Sequence, residues 1–163
     1  MITFKKYLLL ERTNEEYMNS FNGKDILIRW EDKDSTFGCL RIFDPENDKQ
    51  IGLINLKYDS HIHQKYGSEK SRPTTSFTSM VEYYKDKIIV GLVLVDKEYR
   101  NKGYAKFLLT LAEEYAKEKG IEYLLVEYAT PLMLKILQSK FPNIKFKKDS
   151  QQRGEFKDIL IKL

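Results

Sequence analysis

The chain has 163 residues, the size of one ordinary domain, and 42% of them are hydrophobic, enough to fill a core. Charged residues reach 32%, yet eleven Tyr, nine Phe and one Trp exclude an intrinsically disordered chain, and 28 basic against 24 acidic residues leave a mild formal charge of +4. The longest apolar run, Ile88 to Val95, is too short to cross a bilayer, and the lone Cys39 excludes an internal disulfide and a four-cysteine zinc site.

In chain order, Lys5 to Leu10 predicts a first strand, its apolar centre being too short for a secretory leader. Asn14 to Phe21 predicts a short helix stopped by Asn22-Gly23. Asp25 to Trp30 and Phe37 to Phe43 are apolar strands; Asp44 to Asp48 is a turn, and Gln50 to Tyr58 returns as the next strand. Asp59 to Ser76 is polar and without periodicity. Phe77 to Tyr84 and Lys87 to Val95 flank Lys85-Asp86 and read as an antiparallel hairpin.

From Tyr104 to Lys119, Phe107, Leu108, Leu111, Ala112, Tyr115 and Ala116 recur at the spacing of one buried helix face, and Gly120 ends the helix. Ile121 to Tyr128 is then a strand parallel to the one before the helix, as a short-linked crossover requires. Pro131 opens a second helix to about Lys140, and Ile144 to Lys148 with Phe156 to Leu163 close the chain as a last hairpin. The expected class is α/β in the α+β sense: a mixed, mostly antiparallel sheet with one parallel β-α-β crossover and helices on both faces. A single domain spans 1–163, and its expected location is the cytoplasm.

The stretch that carries chemistry is Ile88 to Ala105, IIVGLVLVDKEYRNKGYA. A buried strand ends at Val95, and Arg100-Asn101-Lys102-Gly103-Tyr104-Ala105 leads into the helix. Backbone N–H groups where a turn enters a helix are unpaired and carry partial positive charge, which suits a pyrophosphate. Gly103 lets the backbone approach, Ala105 keeps the first turn slim, and Arg100 and Lys102 add cationic donors.

Arg-x-x-Gly-x-Ala after an apolar strand resembles the acetyl-CoA signature of the GNAT N-acetyltransferase superfamily, strongly over 77–163 and weakly over 1–76. The resemblance implies a splayed strand whose Val93, Leu94 and Val95 offer backbone groups to pantetheine, with the pyrophosphate cradled by Arg100, Asn101, Lys102, Gly103, Tyr104 and Ala105. It implies acetyl-CoA as co-substrate, no metal, and direct transfer to a primary amine on a small molecule or protein, by a monomer or homodimer with no membrane. The thioester would sit near Val95, where a main-chain N–H steadies the oxyanion. Asp59 to Ser76 is expected to border the acceptor cleft.

The family's tyrosine acid falls near Leu137, so the proton work needs other candidates. Glu82 and Glu127 are candidate bases, and Tyr128 is the candidate acid; strand alternation puts Glu127 and Tyr128 on opposite faces. His61, His63 and Cys39 make a weak metal pattern. From Leu134 onward eight basic residues face three acidic ones. That surface supports the alternative of a catalytically degenerate binding module for nucleic acid or protein, although nucleic acid is the less favoured partner.

Overall fold

The computed structural model describes residues 15–32, 37–59, 86–142 and 157–163. They form one seven-stranded sheet in sequence order: β1 (Glu15–Phe21), β2 (Lys24–Asp32), β3 (Phe37–Asp44), β4 (Lys49–Asp59), β5 (Lys87–Val95), β6 (Tyr123–Ala129) and β7 (Lys157–Lys162). All neighbours are antiparallel except β5 and β6, which α1 (Tyr104–Glu118) connects as a parallel crossover. A second helix, α2 (Pro131–Lys140), follows β6. The mixed α/β class is the expected one. Among the described residues no helix is long and apolar enough to cross a membrane.

The first departure is at Glu15–Phe21, where a strand stands in most of the segment expected as a helix, Asn14 to Phe21. Phe21 pairs with Lys24 across Asn22 and Gly23, whose φ angles of 52° and 75° are both left-handed. Two successive left-handed residues make the tight hairpin turn whose twist suits the flanking strands. Tyr17 is buried while Glu16, Met18 and Ser20 are exposed, the period of two of a half-buried strand. Tyr17 and Phe21 are also four apart, which is why the segment mimics a helix.

The second departure concerns the partner of β5. Lys87 to Val95 runs in register with Asp59 to Gly52 of β4, and Ile88 to Val90 also pairs with β6. Both edges of Ile88 to Val90 are thus taken by β4 and β6, whereas the expected partner of this strand was 77–84. Residues 77–84 lie outside the described ones, as do 5–10, 60–76 and 144–148.

The core lies between the sheet and α1. Leu40, Ile42, Ile54 and Ile88 meet Leu108, Leu111 and Ala112, all fully buried. Each such leucine or isoleucine contributes roughly 2 kcal/mol. Aromatic pairs extend the contact: Trp30 stacks on Tyr115 with centroids 5.2 Å apart, and Phe21 on Phe107 at 4.8 Å. The described helices also touch each other. Lys106 Nζ donates to Ser139 Oγ (2.9 Å), Lys140 Nζ lies 2.9 Å from Glu113 Oε2, and Leu137 of α2 joins the same core as α1. The two described helices therefore pack against each other over one core. Cys39, Tyr123 and Leu125, outside that core, are buried too.

Two predictions follow from this packing. A Cβ on Gly38 would stand 2.1 Å from Trp30 Cζ2, so Gly38→Ala must displace the indole from Tyr115. Its cost should be roughly 1–3 kcal/mol in urea unfolding, against little for Gly91→Ala, where nothing lies within 4 Å. The second concerns Glu113. Burial raises its pKa, but hydrogen bonds from Lys117 and Lys140 outweigh burial and leave it below the ordinary 4.5. A depressed carboxylate stabilises the fold fully above its unfolded value and less as pH falls through the folded one. The stability gap between wild type and Lys140→Ala, measured by urea midpoint, should therefore shrink as pH drops below 4.5.

Candidate functional site

β5 stays hydrogen-bonded to β4 as far as Val95, but it leaves β6 after Val90. β6 turns away through one extra residue between Val126 and Ala129, which face Ile159 and Lys157 of β7. The strands part, and a cleft of about 410 Å³ opens between them. Val93 and Val95 pack toward the core, whereas Leu92 and Leu94 are 44% and 40% exposed. From Gly91 onward β5 thus has an edge on the β6 side that no described strand pairs with.

The turn after β5 is held by backbone bonds. Asp96 N–H donates to Ile51 O (2.8 Å), Tyr99 N–H donates to Asp96 O (2.8 Å), and a single 3-10 turn spans Lys97–Tyr99. Arg100 Nε donates to Val95 O (3.0 Å), which brings the guanidinium beside the end of β5. Asn101 (φ 60°) and Gly103 (φ 87°) are left-handed and swing the chain into α1.

Phe107 N–H makes the first helical bond, to Gly103 O. The N–H groups of Tyr104, Ala105 and Lys106 therefore have no partner within the helix. No side chain caps this end, and no acidic residue stands in the first turn. The cleft reaches it without a single carboxylate among its lining residues. Helix dipole, the N–H groups without a helical partner and Arg100 together give this end of the cleft the chemistry that suits an anion.

Of the expected cofactor residues, Val93, Leu94, Val95, Arg100, Asn101, Gly103, Tyr104 and Ala105 all line the cleft. Lys102 does not. It borders a neighbouring cavity of about 340 Å³, and its ammonium lies 5.7 Å from the Tyr99 ring centre. The buried Tyr104 hydroxyl is pushed above its ordinary pKa by burial, with Tyr99 and Asp44 adding to the effect, so it stays a neutral phenol at physiological pH. Gly103 has a different primary reason from the expected one. A Cβ there would first meet Phe21 Cζ, 3.2 Å away, in a conformation that L side chains rarely adopt. The glycine serves the turn before it serves any ligand.

The proton-transfer candidates fall only partly within the described residues. Glu82 lies outside the described residues, as do His61 and His63. Glu127 is half-buried on β6, next to the backbone position of Tyr128. On α2 the Thr130 Oγ1 accepts the Met133 N–H (3.2 Å) and caps the helix. Its first turns show Leu132, Met133 and Ile136 to the cleft, while Leu137 is fully buried. Cys39 is buried on β3, and no metal-binding cluster exists among the described residues.

Tyr99 and the apolar wall of α2 line the cleft without having been singled out in the sequence. The three- and four-residue spacing of Leu132, Met133 and Ile136 was the available signal. It reads equally as core, and only the 68% exposure of Leu132 tells the two apart.

Comparison with known proteins agrees with this arrangement. The model of the Acetyltransferase (GNAT) family matches residues 7–134, extending into the half that resembles it weakly by eye. Arylalkylamine N-acetyltransferase 2 from Aedes aegypti aligns at 13% identity and a TM-score of 0.53, covering 76% of this chain and 72% of its own. An aminoglycoside acetyltransferase from an uncultured soil metagenomic sample, in complex with sisomicin, aligns at 17% and 0.50 over 75% and 68%. PaiA N-acetyltransferase from Thermoplasma acidophilum, in complex with coenzyme A, aligns at 18% and 0.50 over 78% and 62%. At such identities the likeness is one of fold. No curated protein matches the chain in sequence.

Proposed function

The chain belongs to the acetyltransferase (GNAT) family, and we propose that it transfers an acetyl group from acetyl-CoA to a primary amine. The observation that supports this reading is the meeting, among the described residues, of an unpaired strand edge and an uncapped helix N-terminus in one cleft with no carboxylate in its lining. A pantetheine arm carries two amides, and the free edge of β5 from Gly91 to Val95 can pair with them as a strand would. The pyrophosphate fits the N–H groups of Tyr104, Ala105 and Lys106, with Arg100 as the cationic partner. Bound there, acetyl-CoA supplies an activated thioester carbonyl.

The remaining steps fall to the chain's own groups. A main-chain N–H at the Val95 end would steady the oxyanion while the C–N bond forms and the C–S bond breaks. The acceptor must attack as a neutral amine, although a free lysine ammonium has a pKa near 10.4. Glu127 or Glu82, directly or through a water, would take its proton, and Tyr128 would return one to the departing thiolate. The α2 wall presents no titratable side chain to the cleft, which favours an acid outside α2. The same wall is what a degenerate binding module would show. That reading is weakened at Lys140, which is committed to Glu113 and so is not free for a basic surface.

Ala105→Glu separates ligand binding from folding. A carboxylate in the first turn favours the helix, so thermal stability should hold or rise, while repulsion should weaken acetyl-CoA about a hundredfold in calorimetric titration. Unchanged affinity would remove α1 from the donor site. For the chemistry, Tyr128→Phe should slow thiol release by roughly 10²-fold over a panel of amines with little change in acetyl-CoA affinity. An unaltered rate assigns the acid elsewhere, and binding without thiol release in wild type selects the binding module.

A further inference from the structure

The cavity of about 340 Å³ beside the cleft shares Tyr99 and Tyr104 with it and is lined by Lys24, Asp25, Asp44, Glu46 and Lys102. Among the described residues none of these five charged side chains is in an ion pair. The next two charged residues of the β3–β4 turn are paired, Asp48 with Arg29 and Lys49 with Glu98. Asp44 is held by its own turn: Oδ1 accepts the Glu46 N–H (3.0 Å) and Oδ2 the Asn47 side-chain amide (3.4 Å). Both oxygens keep lone pairs for a further donor. Only 7% of Tyr104 is exposed, and its hydroxyl makes no hydrogen bond among the described residues. Phe21 and Tyr99 fix its ring, with centroids 5.1 and 6.0 Å away. The two groups that act on the hydroxyl electrostatically, Tyr99 and Asp44, both line this cavity, which directs the phenol into it. A nearly buried hydroxyl without a protein partner must find water or a ligand.

The charges select the ligand. A simple acid would face three carboxylates, and a diamine would face two lysines. A molecule with one charge of each sign can use both sets. Tyr104 is buried and Asp44 half-buried, whereas Lys24, Asp25, Glu46 and Lys102 are exposed at the rim. An ammonium suits the inner pair, beside the Tyr99 ring. A carboxylate suits the Lys102 ammonium, 5.7 Å from the centre of that ring. Ile26 and Ile51 add apolar surface for a short hydrocarbon side chain. Among the described residues these carboxylates form no metal-binding cluster; they are spread round the wall, as suits an organic ligand. We propose that this cavity binds a free α-amino acid or similarly small zwitterion, with Asp44 and Tyr104 taking the ammonium and Lys102 the carboxylate. The site is separate from the transfer cleft and does not depend on the function proposed for it.

The probe is L-leucine, titrated into the full chain with no acyl donor present and followed by backbone amide NMR. The controls are 4-methylpentanoate, which lacks the ammonium, and leucine methyl ester, which lacks the carboxylate charge. Leucine should shift the amides of Lys24, Asp44, Glu46 and Tyr104 saturably, and each control should bind about fivefold more weakly or worse. Asp44→Asn should weaken leucine about tenfold and Tyr104→Phe about threefold. Lys102→Ala should weaken leucine about fivefold and leave the methyl ester within twofold. Lys102 is exposed, so its variant carries the test even if Asp44→Asn disturbs the turn. No shift at these amides in tens of millimolar leucine, or shifts confined to Leu92 to Val95 of the cleft, would overturn the site. Leucine affinity within twofold of wild type in all three variants, or 4-methylpentanoate binding as tightly as leucine, would overturn it too. With no donor present, none of these outcomes bears on acetyl transfer, and a chain that failed to bind acetyl-CoA would leave this site standing.

Discussion

β5 has two edges, and among the described residues only one is hydrogen-bonded along its whole length. β4 is zipped to it from Lys87 to Val95, while β6 holds it at Ile88, Ile89 and Val90 alone. Backbone N–H and C=O groups left unpaired in a sheet interior are costly, and they must find water or a ligand. The remainder of the structure is arranged around that gap. The βα turn places the N-terminus of α1 at its mouth, and α2 supplies a third wall of Leu132, Met133 and Ile136. A sheet paired throughout would have no cleft and no access to the helix end.

Keeping the gap open demands rigidity elsewhere. The fully buried Ile88, Leu108, Leu111 and Leu124 fix α1 against the sheet where the strands still pair. Contacts of Phe21 with Tyr104 and Phe107 tie β1 to the first turn of α1. The Glu113–Lys140 pair, only 21% and 13% side-chain exposed, braces α2 against α1. Such a partly desolvated pair contributes more than a solvated one, though burial offsets part of the gain. The anion site is therefore assembled before any anion arrives, and little ordering cost is left for binding.

The lining of the cleft was legible in one stretch of the sequence, and the fold class in the order of its elements. Ile88 to Val95 followed by Arg100 to Ala105 is a contiguous segment whose chemistry depends on local geometry, and eight of its nine chosen residues line the cleft. Lys102 missed because the left-handed Asn101 and Gly103 turn it to the far side of the loop, and spacing alone cannot register a left-handed residue. Non-local facts were less visible. Asn22-Gly23 stops a helix and turns a hairpin equally well, and only pairing with Lys24 decides between them. β5 takes β4 as its partner across a long intervening stretch, which no local signal encodes. The extra residue in β6 belongs to its register with β7, so alternation counted from Glu127 to Tyr128 had no access to it. The close approach of Phe21 to Gly103 was likewise hidden, since Phe21 is eighty-two positions away in sequence.

The central claim is that the donor lies along the free edge of β5 and ends its pyrophosphate on α1. Backbone amide shifts and hydrogen exchange, followed by NMR during titration with acetyl-CoA, test it most directly. The account predicts large shifts and new protection at Gly103, Tyr104, Ala105 and Lys106 and within Gly91 to Val95. Ile88, Ile89 and Val90, already paired on both sides, should be protected from the start and move little. Saturable binding that leaves the amides of Gly91 to Val95 and Gly103 to Lys106 unperturbed would contradict it.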